Sequence, residues 1–143
     1  MLSHAATPEE AALVHQAVLM VLRPHLKSVE LDPTEAGWPE GVRSAVEALH
    51  TLGAGQGRWP PMKRLFARTG VDLDPAIDQH FEIVCALAPH TLLADGWDLA
   101  GKNVHSATDS GCLWLRLSRA QHEQLTQRLL GSGVDPAILI RRR

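Results

Sequence analysis

The sequence predicts an α+β fold: four N-terminal helices packed against a small C-terminal sheet made of a hairpin plus a strand–helix–strand unit. Three observations carry that expectation. Through about the first ninety positions, apolar residues recur at helical spacing between capping signals. "CLWLRL", residues 112–117, then sends Leu113, Leu115 and Leu117 one way and Cys112, Trp114 and Arg116 the other. "LLADGWDL" sets Asp95-Gly96 between two apolar runs, a strong local hairpin signal.

Taken in order, "TPEEAALVHQAVLMVLRP" opens with Thr7 as a cap, Pro8 at the first helical position and Glu10 completing a capping box. Leu13, Ala17, Met20 and Val21 make one apolar stripe, widened by Val14, Val18 and Leu22. Pro24 ends the helix at Arg23. After a connector, "KSVELDPTEAGWP", a second helix is expected from about Pro39 to Leu52, with Gly53 as its C-terminal cap. A short third helix covers "PMKRLFART" up to Gly70. The fourth starts from Asp74 and Pro75 and stops before Pro89, burying Ile77, Phe81, Val84, Cys85 and Ala88. "DSG", residues 109–111, is turn chemistry before the strand "CLWLRL". Ser118 and Gln121 form a second capping box for a helix closing at Gly131. "DPAILIR" reads as a last strand, parallel to 112–117 if the two are adjacent.

A chain of 143 residues suits one domain spanning 1–143, helical over about 7–89 and β-rich over about 90–143. Hydrophobic residues at 45% and charged residues at 21% are globular proportions, which excludes a disordered chain. There are four Trp and two Phe but no Tyr, so aliphatic side chains must fill most of the core. Cys85 and Cys112 are too few for a disulfide framework. "AALVHQAVLMVL" is too short to span a bilayer and lacks the basic flank and cleavage site of a secretory signal. A cytoplasmic protein with no membrane contact is the expectation. Charge is uneven. Residues 1–57 carry seven acids against three basic groups, whereas residues 99–143 carry seven basic groups against three acids.

Several groups of residues bear chemistry. His105 and Asp109, with Ser110 or Cys112 as nucleophile, have the residue types of a small hydrolase. The same stretch is also what a chain reversal uses, because short polar side chains bond local backbone. His105, Asp109, Cys112 and His122 lack the close Cys or His pair that marks structural zinc sites, and His80, Cys85 and His90 are no better spaced. No metal and no cofactor is therefore expected. Glycines 53, 55 and 57 match neither phosphate-loop pattern and follow a helix, the wrong context.

Two basic groups point to nucleic acid. One comprises Arg58, Trp59, Lys63, Arg64 and Arg68; the other comprises Arg116, Arg119, Arg128 and the terminal Arg141, Arg142 and Arg143, with Trp114 on the same strand face as Arg116. An aromatic that stacks and guanidinium groups that hold phosphates are the elements of single-strand binding. Trp38, Trp59 and Trp97 sit beside turn signals, where a large side chain is a loop anchor or an exposed contact. The acidic first half would suit a basic partner, as in an inhibitor- or antitoxin-like protein. The sequence thus favours a non-catalytic binding module with a protein partner. Nucleic acid comes second, and a hydrolase third. The end "ILIRRR" would allow self-pairing through an edge strand, with its arginines guarding that edge.

Overall fold

A computed structural model describes residues 7–34, 37–56, 70–108 and 112–139. Within them helices and strands are interspersed. The order is α1 (Pro8–Leu22), β1 (Leu26–Leu31), α2 (Arg43–Gln56), β2 (Val71–Leu73), α3 (Asp78–Leu87), β3 (Leu93–Asp98), β4 (Asn103–Thr108), β5 (Leu113–Leu115) and α4 (Arg119–Gly131). The five strands form one antiparallel sheet in the order β2-β1-β3-β4-β5.

This corrects the expectation of four N-terminal helices on a C-terminal sheet. Two strands lie in the supposedly helical half. In β1, which the sequence reading passed over as a connector, Val29 and Leu31 point inward while Glu30 points outward. β2 does the same in three residues, with Val71 and Leu73 buried and Asp72 exposed. β2 has only three residues, and in β1 a register shift between Leu26 and Ser28 breaks the alternation of Leu26 with Val29 and Leu31.

The expected hairpin turn at Asp95-Gly96 is instead the middle of β3, where Gly96 pairs with Val29 on one side and His105 on the other. The real reversal follows Asp98. Its carboxylate accepts hydrogen bonds from the Ala100 and Lys102 amides at 2.9 and 2.8 Å, and Gly101 takes a φ of 76° that favours glycine. Residues 103–108, read as turn and loop, make β4. The closing strand is also absent from 136–138, where Asp135 caps a 3₁₀ turn, Pro136–Ile138. Among the described residues no strand–helix–strand unit with parallel strands is formed. Helix "PMKRLFART" and the turn "DSG" lie outside the described residues.

The two capping boxes are present as read. Thr7 and Glu10 exchange hydrogen bonds of 2.9 and 3.1 Å, and Ser118 and Gln121 exchange bonds of 2.8 and 3.2 Å. α2 runs past its expected end, so Gly53 lies inside the helix. A side chain there would meet Val71 Cγ2 at 2.9 Å, so glycine lets α2 lie close against β2.

The core lies on one face of the sheet. Two cross-strand rows run over it: Leu73–Val29–Gly96–His105–Leu115 and Val71–Leu31–Ala94–Ala107–Leu113. The helices contribute Val14, Val18, Leu19 and Leu22 from α1, Leu49 from α2, Val84 and Leu87 from α3, and Leu125 and Leu129 from α4. α1 is rotated relative to the expected stripe. Leu13 and Met20 are exposed, and the buried side includes His15 and Leu19 instead. Arg23, just after α1, fastens the helix to α3. It donates to the Pro75 carbonyl at 2.9 Å, pairs with Asp78 and lies 4.2 Å from the centre of the Phe81 ring.

Candidate functional site

Two constellations stand out, one inside the molecule and one on the sheet's outer face. The inner one is built on His105. Its strand neighbour is Gly96, where a methyl group would sit 3.3 Å from His105 Cβ and 3.2 Å from Leu26 Cδ2. The missing side chain on β3 gives the imidazole its place, and the ring is 0% exposed. α1 brings His15, 5% exposed, within electrostatic reach. The periodicity explains why: His15 lies three, four and seven residues before Val18, Leu19 and Leu22, all buried. Half-buried His90, in the turn after α3, acts electrostatically on His15.

Both buried rings carry an unpartnered nitrogen. His15 Nδ1 and both ring nitrogens of His105 find no hydrogen-bond partner among the described residues. Burial, with a smaller repulsion from His90, lowers the pKa of His15 to about 4. Burial, with repulsion from His15, lowers that of His105 to about 3. Both rings are thus neutral at pH 7. A ring that cannot reach solvent and resists a proton does not serve as a surface general base.

His105 therefore faces the core, while Cys112, at the entry to β5, is exposed. The two are not presented on one surface, and Asp109 lies outside the described residues. Cys85 is half-buried; burial drives its pKa up to about 11, against the opposing pull of Arg23, so its thiol stays protonated. Among the described residues, no group of three or more His, Cys, Asp and Glu side chains is arranged to hold a metal ion.

The outer constellation follows from register. The row Asp72–Glu30–Asp95–Ser106–Trp114 crosses all five strands on the face opposite His105. Trp114 is 44% exposed although Leu113 beside it is fully buried. Arg116 projects on the same side and lies 5.6 Å from the Trp114 ring centre, within the range of a cation–π contact. Trp97 is half-buried on β3. Trp59, Lys63, Arg64, Arg68 and Arg141 lie outside the described residues. Trp38 is half-buried, with its indole Nε1 buried and unpartnered.

Sequence reasoning found Trp114 and Arg116 through the alternation of "CLWLRL". It did not single out His15, and it weighed His90 only as a badly spaced metal ligand beside His80 and Cys85. The signal for His15 was its helical spacing to Val18, Leu19 and Leu22. Comparison of the chain with protein-family models, curated proteins and solved structures finds no match. Among the described residues, no helix is long and apolar enough to cross a membrane.

Proposed function

We propose that the protein is a non-catalytic binding module that recognises a basic protein surface through the outer face of its sheet. The observation that carries this reading is the row Asp72–Glu30–Asp95–Ser106–Trp114, which sets an exposed tryptophan in line with three carboxylates. Tryptophan is enriched at the centres of protein interfaces because a rigid ring gains much contact area at little entropic cost. A basic partner surface would complement the acidic character of this row. Nucleic acid is the weaker reading, since phosphates approaching Trp114 along this row would meet carboxylates.

The test is affinity capture from native extract with the full chain, Trp114→Ala and Asp95→Lys. A single stoichiometric protein should be retained by the wild type, released as salt rises and lost by both variants. Retention of the same companion by all three chains would refute the reading. So would salt-sensitive retention on single-stranded RNA, abolished by Trp114→Ala, without any protein companion.

A further inference from the structure

We infer that His15 and His105 form an acid-sensitive latch: two buried imidazoles, one on α1 with an unpartnered Nδ1 and one at the middle of the sheet with both nitrogens unpartnered, that let helix and sheet stay closed only while both are uncharged. The inference is independent of the binding reading, because it concerns the inner face of the sheet.

The surroundings offer a proton no compensation. His105 is flanked in its row by Gly96 on β3 and Leu115 on β5. The electrostatic influences on the pair come from histidines, His90 acting on His15 and His15 acting on His105. On α3, Asp78 is exposed and paired with Arg23, and Glu82 is exposed. On α4, Arg119 and Glu123 are exposed and paired with each other, Arg128 is exposed against Met20 Sδ, and His122 is half-buried. No carboxylate is among the groups that act on either buried ring. Charging one ring therefore places a cation in an apolar layer beside a second histidine, and charging both adds mutual repulsion.

The direction follows from linkage. In the unfolded chain each histidine takes a proton at about pH 6.5. In the folded chain His15 resists down to about 4 and His105 to about 3. Between those limits the unfolded chain binds more protons, so stability held above pH 6.5 is lost as pH falls.

Denaturant unfolding of the full chain at pH 6.0 and pH 5.0 reads this out. Each histidine should raise the unfolding constant about sevenfold over that interval, and the pair about fiftyfold. His15→Leu and His105→Leu should each remove about one sevenfold factor, and the double variant should remove both. Gln124→Ala, at an exposed non-titrating position of α4, should keep the wild-type slope. An equal slope in the wild type and the double variant would overturn the latch. If the double variant does not fold, NMR of the wild type decides. The His15 and His105 ring signals should hold their neutral positions from pH 7 to pH 5. Titration of either near pH 6.5 in the folded protein would overturn it.

Discussion

Gly96 decides more than its size suggests. It sits between Val29 and His105 on the inner face, and a methyl group there meets His105 Cβ and Leu26 Cδ2 at 3.3 and 3.2 Å. Neither neighbour has an easy retreat, because both are buried in the same layer. Gly96→Ala is expected to destabilise the fold by about 1–3 kcal/mol, the usual cost of overpacking a filled core. The shift in urea midpoint measures it, and an unchanged midpoint would mean that the layer has room to spare. The sequence misled at this residue for a physical reason. Asp-Gly is turn chemistry when both positions are free to adopt positive φ, but glycine also serves where a side chain would not fit. Nothing within the turn-length stretch distinguishes the two uses, since the crowding comes from His105 on the next strand and from Leu26, seventy residues earlier.

At the level of elements, the helix ends were the most legible part. Both capping boxes were evident from residue type and spacing, because a cap is made by neighbours within one turn. Ser118→Ala removes the acceptor for the Gln121 amide at the start of α4, and about 1 kcal/mol of stability should go with it. Ser118→Asp should restore most of that loss in the same denaturation experiment, as a carboxylate both caps and favours a helix N-terminus. By contrast, the Arg119–Glu123 pair on the same helix is exposed on both sides, so losing it should be close to neutral. The short strands were the least legible elements. β2 has only three residues, and its identity as a strand depends on pairing with β1, forty residues earlier in the chain. The outward placement of Trp114 was legible because alternation is local; the company it keeps in its row was not, because register is set by four other strands.

For the molecule as a whole, the sheet order β2-β1-β3-β4-β5 predicts a gradient of opening. β1, β3 and β4 are hydrogen-bonded on both sides, whereas β2 and β5 are three-residue edges. Amide exchange is expected to be slowest in β1, β3 and β4, and to proceed in β2 and β5 by fraying before global unfolding. Uniform protection across all five strands would argue against independent edges. The interleaving of helices and strands also explains why a half-by-half reading of the chain could find the elements yet misplace the layers. The order has a consequence for synthesis as well. β1 leaves the ribosome with neither of its partners made, since β2 begins at Val71 and β3 at Leu93. The buried side of α1 waits longer still, because the strand that carries the second histidine ends at Thr108. A nascent chain cut short before Val71 holds an apolar helix and a strand with two open edges, the features that recruit holding chaperones and promote aggregation.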